Sequence, residues 1–287
     1  MIGRLVVVGV GLIGGSFALE AKQRGLAREV VGVGRSKANL ELARERGLID
    51  RYSDSLTESA GDADLVFLSL PVGAMPAAFA ELAAALPADA LITDVGSTKQ
   101  EVIVAARAAL KGGIGRFVPG HPIAGAENNG AGAAHAGLYA GRDVILTPLP
   151  ENSADDVAGI EKLWTACGAQ VTRMPAAAHD RVFAAVSHLP HLAAFALVDD
   201  LVGRPNAEAC FRYAGAGFRD FTRIAASHPE MWRDIALANR AALLDELDAY
   251  IAKLAEVRHR IEDKDGVGLE ALFARARSAR RNWKSQA

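Results

Sequence analysis

The chain of 287 residues is 51% apolar and 23% charged, the balance of an ordinary globular protein, and its formal net charge is -2 at pH 7. Its length exceeds what one hydrophobic core usually serves, so we predict two domains. So weak a negative charge would attract neither a nucleic acid nor an acidic membrane, and we expect neither as a partner. The two cysteines, Cys167 and Cys210, lack metal-type spacing, which argues against a disulfide scaffold or a zinc site and favours a cytoplasmic protein. We find no apolar run of about 18 residues and expect no membrane span.

Short β-branched runs alternate with longer helical stretches over residues 1–174. Several runs are apolar without polar alternation, as in strands that are buried on both faces of a parallel sheet. This succession predicts an α/β domain over 1–174, with a doubly wound parallel sheet covered by helices. The predicted strands are Leu5–Val10, Val30–Gly34, Leu65–Leu70, Leu91–Val95, Phe117–Gly120, Val144–Leu149 and Gln170–Met174, and the predicted helices between them include Leu12–Arg24, Lys37–Arg46, Ala74–Leu86 and Thr98–Leu110.

The strand signal disappears after Pro175, and we predict an all-α domain over 175–287. A helical pattern with an interruption at Pro190 comes first, and a stretch from Glu230 to about Glu262 without Gly or Pro follows later. As one helix this stretch would span roughly 50 Å, too long for one small domain to bury. Its apolar stripe could be ordinary core, but stripe and length together favour a dimer interface. The stripe consists of Ile235, Leu237, Leu243, Leu244, Leu247, Ile251 and Leu254.

A glycine-rich G-x-G-x-x-G segment follows the first predicted strand and opens the first predicted helix, the context in which this pattern indicates a Rossmann-type dinucleotide site. Gly9 permits a tight turn, Gly11 lets a pyrophosphate approach the backbone, and Gly14 allows helix and strand to pack closely. Leu12 and Ile13 lie between them, at the helix N-terminus that would hold the pyrophosphate. The alternative is a glycine-rich turn without a ligand.

The end of the second predicted strand bears on the choice of cofactor. An NAD site usually has an acidic residue there for the ribose 2′-OH, but this chain has Gly34, followed by Arg35 and Ser36. Arg35 can bind a 2′-phosphate bidentately, and no carboxylate would repel it. We therefore expect NADP to be preferred, with NAD as a second cofactor. The alternative is that Arg35 stacks on the adenine and both cofactors bind.

Four further segments carry polar residues that a core would not need: DVGSTK at 94–99, GHPIAGAE at 120–127, SHLPH at 187–191, and GFRDFTRIA at 217–225 with MWRDI at 231–235. With GLIGGS at 11–16 they resemble the prephenate/arogenate dehydrogenase family of tyrosine biosynthesis, in the family's order from about residue 4 to residue 260. The resemblance implies a Rossmann domain joined to a helical dimerisation domain, an active site between the two, and a homodimer. It also implies oxidative decarboxylation of prephenate, arogenate or both, with feedback inhibition by tyrosine.

This reaction removes a hydride from C4 of a cyclohexadiene, takes the proton of the C4 hydroxyl and releases CO2 from C1, so it needs a base and a cation for a carboxylate. His121 can be that base, because an unperturbed imidazole is neutral at cytoplasmic pH. The resemblance assigns this role to His121, implies that Ser97 orients the same hydroxyl, and implies that Arg223 binds a substrate carboxylate. The alternative for His121 is an ordinary histidine in a turn. The alternative for Arg223 is a surface ion pair.

The resemblance implies further substrate contacts. Asp220 would share a helix face with the arginine three residues later and fix its guanidinium. His191 would contact the substrate's side chain or a feedback-bound tyrosine, whereas His188 could equally be a core histidine. Glu127 near the tail of the substrate could bind the ammonium of arogenate or serve the domain interface. Ala126 stands where some family members have threonine, which leaves the choice between prephenate and arogenate open. His188 and His191 are spaced like a metal pair, but without a third ligand nearby we predict no metal site.

Two other functions compete with this one. β-Hydroxyacid dehydrogenases also join a Rossmann domain to helices, but they use a lysine in the second domain, where this chain has none before Lys253. A non-catalytic, NADP-sensing regulatory protein is the second alternative. Such a sensor would need the dinucleotide loop but would have no use for the proton acceptor at His121.

Overall fold

The first half of the chain is built on a parallel sheet of six strands. The computed structural model describes residues 1–125 and 129–283. The strands are β1 (Ile2–Val8), β2 (Ala27–Val33), β3 (Arg51–Ser53), β4 (Leu65–Leu68), β5 (Leu91–Asp94) and β6 (Phe117–Val118), and the helices are α1 (Leu12–Gln23), α2 (Lys37–Glu45), α3 (Leu56–Ala60), α4 (Met75–Ala85) and α5 (Gln100–Leu110). The strand order is β3-β2-β1-β4-β5-β6, with every pair parallel. This is the predicted doubly wound sheet, and its order reverses between β1 and β4, where such sheets bind ligands at the carboxyl ends of the strands.

The buried central strand explains why the predicted strands showed no polar alternation. Leu5 and Val7 of β1 pack into one hydrophobic cluster, whereas Val6 and Val8 pack into a second cluster on the opposite face of the sheet. All four side chains are at most 5% exposed. Since successive strand residues point to opposite faces and helices cover both, the four buried positions Leu5–Val8 of β1 are all apolar.

A second sheet of three strands follows, and here the predicted single sheet is wrong. Strands β7 (Gly120–Pro122), β8 (Asp143–Leu146) and β9 (Gln170–Arg173) pair separately, β7 antiparallel and β9 parallel to β8, and α6 (Ala154–Ala166) joins β8 to β9. The predicted strand Phe117–Gly120 is divided at Pro119, which has no N–H for the ladder. The division places His121 in a paired strand, opposite Ile145 of β8.

The described residues after β9 are mostly helical, as predicted. The helices are α7 (Ala176–Phe183), α8 (Leu189–Val202), α9 (Ala207–Arg212), α10 (Ala216–Thr222), α11 (Pro229–Ala238), α12 (Arg240–Glu262) and α13 (Gly266–Asn282). The expected interruption at Pro190 is absent: a π-helical turn over Ala184–His188 joins α7 to α8, and Pro190 lies in the first turn of α8. A widened turn relieves the clash and the missing hydrogen bond that a proline causes in a regular helix.

The predicted single helix from Glu230 to Glu262 is also wrong, because the chain breaks at Asn239 between α11 and α12. The Asn239 side chain is 3% exposed. Its Nδ2 donates to the carbonyl oxygen of Asp180 at 2.7 Å and to Nδ1 of His188 at 3.0 Å. These distant partners, together with the low helix propensity of asparagine, favour the break over a continuous helix.

Within the continuous helical stretch Ala176–Val202, a window of 18 residues has a mean hydropathy of 1.5, and by length and composition alone the stretch could cross a membrane, which the apolar-run count did not anticipate. Two of its polar residues, His179 and Asp180, are fully buried and hydrogen-bonded. Such a buried polar face is typical of a packed helix rather than of a lipid-facing span. The stretch therefore belongs to the folded helical half.

Replacing Asn239 with Ala tests the break. We expect the free energy of unfolding to fall by about 1–3 kcal/mol, because a buried carbonyl and a buried imidazole nitrogen lose their donor. Urea denaturation measures the change. Asn206→Ala is the control, because Asn206 is exposed and its side chain makes no capping hydrogen bond. Equal stability of the two variants would mean that the Asn239 contacts contribute nothing.

Candidate active site

The glycine-rich loop has the geometry expected of a dinucleotide-binding turn. Gly9 has φ +90°, and a Cβ there would lie 2.1 Å from the carbonyl oxygen of Ser69. A Cβ on Gly14 would lie 2.2 Å from the carbonyl oxygen of Gly9, so helix α1 can approach the strands only with glycine at this position. A Cβ on Gly11 would meet nothing within 4 Å. Two of the glycines are therefore required by the fold, while the third borders open space at the N-terminus of α1, where an anion is favoured.

The end of β2 leaves Arg35 accessible. Arg35 and Ser36 are exposed, and the Ser36 hydroxyl accepts from the backbone N–H of Asn39 at 3.3 Å as the N-cap of α2. That hydroxyl keeps its own proton for donation. The atoms nearest to a Cβ on Gly34 would be those of Leu40, from 3.6 Å, which is ordinary van der Waals contact, so a Cβ is tolerated there.

A cleft of about 1060 Å³ lies between the two halves of the chain. Arg35 and Pro71 line it from the sheet half, and Phe218, Arg219 and Arg223 line it from the helical half. Three arginines around one cleft favour anionic ligands, because a guanidinium matches a carboxylate or a phosphate. Arg35, which we predicted to bind the cofactor, and Arg223, which we predicted to bind a substrate carboxylate, therefore line the same cleft.

The predicted base lies in a chain of hydrogen bonds. Nδ1 of His121 is 2.8 Å from Nε2 of His179, and Nδ1 of His179 is 2.8 Å from Oδ1 of Asp180. The ring of Phe183 packs against both imidazoles, with centroids 4.9 Å from His121 and 4.5 Å from His179. Burial, aided by the nearby His179 and Lys99, holds the pKa of His121 well below its usual value. His121 is therefore a neutral imidazole that can accept a proton.

The sequence analysis missed the contribution of His179, which it set aside as a histidine without a site. His179 and Asp180 are adjacent at the start of the helical half and are fully buried. A His-Asp pair on an otherwise alanine-rich helix was the available signal. Nothing local indicated that its partner would be His121, 58 residues away.

A buried ion pair anchors the backbone on both sides of the site. Lys99 and Asp94 are fully buried, and Nζ of Lys99 donates to Oδ2 of Asp94 and, at 2.7 Å, to the carbonyl oxygen of Gly120. Oδ1 of Asp94 accepts from the N–H of Gly120 at 3.1 Å, and Oδ2 accepts from the N–H of Gly96 at 2.8 Å. The loop that carries Ser97 is thereby joined to the residue before His121.

The other predicted site residues differ in their burial and in their contacts. Ser97 is half-buried, and its hydroxyl makes no hydrogen bond within 1–125 and 129–283. His191 stacks on Trp232 with ring centroids 3.6 Å apart, and its Nδ1 lies 2.8 Å from the carbonyl oxygen of Ser187. Burial lowers the pKa of His191. The lining of the cleft, as far as the structure describes the chain, includes none of Ser97, His121 and His191.

Asp220 does not take the position expected beside Arg223. It is exposed and makes no hydrogen bond or ion pair in the described part of the chain. Helix α10 ends at Thr222 and a 3₁₀ turn begins at Arg223, so the regular i,i+3 spacing does not extend across the pair. Glu127 and Ala126 lie outside the described residues.

His188 is fully buried and neutral, since burial lowers its pKa to about 4. Its Nδ1 interacts with Asn239, and its Nε2 has no partner in the described structure. Among residues 1–125 and 129–283, no group of three or more His, Cys, Asp or Glu side chains could hold a metal ion.

Comparison with known proteins gives one family for both halves. A family model described as prephenate dehydrogenase, nucleotide-binding domain, matches residues 17–173, and one described as prephenate dehydrogenase, dimerization domain, matches residues 175–275. The chain is 38% identical over 278 residues to a cyclohexadienyl dehydrogenase of Zymomonas mobilis, covering 96% of this chain and 94% of that one.

Solved structures agree. The structure of Aquifex aeolicus prephenate dehydrogenase with hydroxyphenyl propionate and NAD+ is similar with a TM-score of 0.91 at 34% identity, over 98% of both chains. Synechocystis arogenate dehydrogenase is similar with a TM-score of 0.82 at 28% identity, over 98% of this chain and all of that one. These matches confirm the predicted fold class and the resemblance, and the dimerization domain supports the predicted homodimer. The chain therefore belongs to the prephenate/arogenate dehydrogenase family, whose members are NAD(P)-dependent oxidoreductases.

Proposed function

We propose that the chain oxidatively decarboxylates prephenate to 4-hydroxyphenylpyruvate, arogenate to tyrosine, or both, as a cytoplasmic homodimer in tyrosine biosynthesis. The observation that carries this proposal is the position of His121 on a paired strand, with its Nδ1 2.8 Å from Nε2 of the buried His179. Burial lowers the pKa of His121, which keeps its imidazole neutral. A non-catalytic sensor would need no such proton acceptor. The names of similar proteins supply the substrate class: cyclohexadienyl, prephenate and arogenate dehydrogenases.

The proposed division of labour follows from the chemistry. A bound nicotinamide supplies the hydride acceptor, and the glycine-rich loop with Gly9, Gly11, Gly14 and the intervening Leu12 and Ile13 would hold its pyrophosphate. His121 takes the proton of the C4 hydroxyl, and the uncommitted hydroxyl of Ser97 orients that group. The C1 carboxylate leaves as CO2, and the ring becomes aromatic.

Arg223 is our candidate for a substrate carboxylate, because it lines the same cleft as Arg35. A guanidinium can bind a carboxylate through two parallel hydrogen bonds. We keep His191, Asp220 and Glu127 as further proposed substrate contacts, and His191 as the residue through which tyrosine would inhibit.

The second half presents apolar side chains that a single chain does not cover. Examples on the last two helices are Leu244, Ile251, Leu254, Ile261 and Phe273, each at least 45% exposed. An exposed apolar face of this extent is typical of a subunit interface. We propose that these faces pair in the homodimer and that the domains divide as 1–174 and 175–287.

His121→Asn tests the base. We expect kcat to fall by roughly 10²–10⁴, since the amide cannot accept a proton at neutral pH. His135→Asn is the control: this histidine is exposed, and its replacement should leave kcat within about twofold. A His121→Asn enzyme with kcat within about threefold of the parent would remove His121 from the mechanism.

The pH profile gives a second readout of the same group. A base must be neutral to act, and burial lowers the pKa of His121, so the active form persists to lower pH than for an ordinary imidazole. We expect kcat/KM to stay level as the pH falls to about 6.5 and to decline only below it. A decline centred above that pH would contradict the burial of this base.

Arg223→Ala tests the carboxylate contact. We expect KM for the cyclohexadienyl substrate to rise about 100-fold or more, because a desolvated carboxylate would lose its charged partner. Arg223→Lys keeps the charge without the planar fork and should fall between the parent and the alanine variant. An unchanged KM in Arg223→Ala would limit this arginine to a structural role.

We propose NADP as the preferred cofactor, with NAD as the second. One charge-assisted contact from Arg35 to the 2′-phosphate contributes about 1.5–3 kcal/mol, which corresponds to a preference of roughly 10- to 100-fold in kcat/KM. Gly34→Asp with Arg35→Ile should reverse it, because the new carboxylate would accept from the ribose 2′-OH and the cation for the phosphate would be lost.

Gly34→Ala is the matched control, because it fills the same space without a charge and should leave the preference unchanged. Steady-state kinetics with both cofactors decide the matter. Equal or better efficiency of the parent with NAD would show that Arg35 does not bind a phosphate.

A further inference from the structure

The buried chain behind His121 runs from one half of the molecule to the other. His121 lies on β7 of the first half, whereas His179 and Asp180 lie on α7 of the second. His179 and Asp180 are both fully buried, so water does not compete for their hydrogen bonds. The two hydrogen bonds, from His121 to His179 and from His179 to Asp180, each have donor and acceptor atoms 2.8 Å apart.

The direction of the protons can be worked out from the Asp180 end. Oδ1 of Asp180 accepts from the backbone N–H of Lys99 at 2.8 Å, and Oδ2 accepts from that of Gln100 at 2.9 Å. Burial alone would raise the pKa of Asp180, but the hydrogen bonds from His179 and from these two N–H groups outweigh it, and the pKa lies below its usual value. Asp180 is therefore an ionised acceptor, and Nδ1 of His179 must donate to it.

The same reasoning fixes the next two nitrogens. Burial lowers the pKa of His179, so the ring is neutral and has one proton, which is on Nδ1. Its Nε2 is then a lone pair, and the nitrogen facing it, Nδ1 of His121, must donate. A neutral His121 with its proton on Nδ1 has its own lone pair on Nε2.

We propose that His179 and Asp180 are positioning residues: they hold the proton of His121 on Nδ1 and so leave Nε2 as the nitrogen that accepts the substrate's proton. This inference rests on the proposed role of His121 as the base. The proton of the C4 hydroxyl moves to Nε2, and the imidazolium that forms keeps its hydrogen bond to His179, with the negative charge of Asp180 behind it. No proton leaves His121 toward His179 in this step.

The surroundings hold each member of the chain in place. Asp180 accepts the first free N–H groups of α5 and has its carbonyl bound by Asn239. Lys99 binds the carbonyl oxygen of Gly120, which fixes the backbone before His121. An orienting partner that sets the tautomer of a catalytic imidazole can be worth up to about 10⁴ in kcat, as in serine proteases.

The tautomer of His121 is the direct test. In protein labelled with 15N-histidine, two-bond proton–nitrogen correlations distinguish a ring protonated on Nδ1 from one protonated on Nε2. The His121→Asn spectrum identifies the signals of this ring by their loss. We expect the parent enzyme at neutral pH to show Nδ1 protonated and Nε2 unprotonated. A parent His121 with its proton on Nε2 would overturn the inference without recourse to any variant.

Two variants extend the test to catalysis. His179→Phe removes the acceptor, and we expect kcat to fall roughly 10- to 1000-fold while KM for the cofactor changes little. His179→Gln retains an acceptor oxygen and should recover most of the lost activity, which a merely structural role of His179 would not predict. If His179→Phe does not fold, the comparison of His179→Gln with the parent and the tautomer of the parent remain as tests.

The outcomes separate this inference from the proposed function. If His121→Asn keeps its activity, His121 is not the base and the proposed function loses its main support. If His121→Asn is inactive but His179→Phe keeps kcat within about twofold, the base stands and the positioning role of His179 is refuted.

Discussion

The rest of the site depends on the hydrogen bonds that the carboxylate of Asp180 accepts. It comes from the first helix of the second half, yet it accepts the N-terminal N–H groups of α5 in the first half. The positive end of a helix and two backbone donors stabilise a carboxylate there. The same carboxylate accepts from His179, which in turn contacts His121. One buried carboxylate thereby contributes both to the contact between the two halves and to the hydrogen bonds around His121.

Burying Asp180 beside the ion pair of Asp94 and Lys99 has an energetic cost. Removing paired charges from water often costs as much as their attraction returns, so stability alone does not explain such an arrangement. Here the charged atoms are used to bind backbone groups: Asp94 holds Gly96 and Gly120, and Lys99 holds Gly120 again. What the fold gains is a fixed distance between the loop of Ser97 and the strand of His121.

The cleft contributes positively charged side chains to the site. Arg35, Arg219 and Arg223 line it together, and they come from segments that are far apart in the chain. Glu230 and Asp234 also line the cleft, so the three guanidinium groups leave only a small excess of positive charge. Such an excess between a nucleotide-binding half and a helical half suits an anionic substrate and an anionic cofactor. The helices α12 and α13 that follow the helical wall of the cleft expose apolar faces, so one wall of the cleft and the dimerization domain of this family lie in the same half of the chain.

The sequence by itself determined the features that depend on neighbouring residues. The turn at Gly9, the close packing at Gly14 and the apolar run Leu5–Val8 of β1 follow from local sterics and from burial on both faces, and they identified the Rossmann-type half and its dinucleotide loop. The polar segments around Ser97, His121 and Arg223 were likewise visible as motifs in the order of one family.

Only the tertiary structure decided the features that depend on distant partners. Pro119 divides a predicted strand between two sheets, and Asn239 divides a predicted helix because its side chain binds groups 51 and 59 residues away. The contact of His179 with His121 likewise spans 58 residues. Periodicity and propensity describe what a segment does with its neighbours, whereas a buried polar side chain must find its partner wherever the fold places one, because an unpaired polar group is costly in the interior.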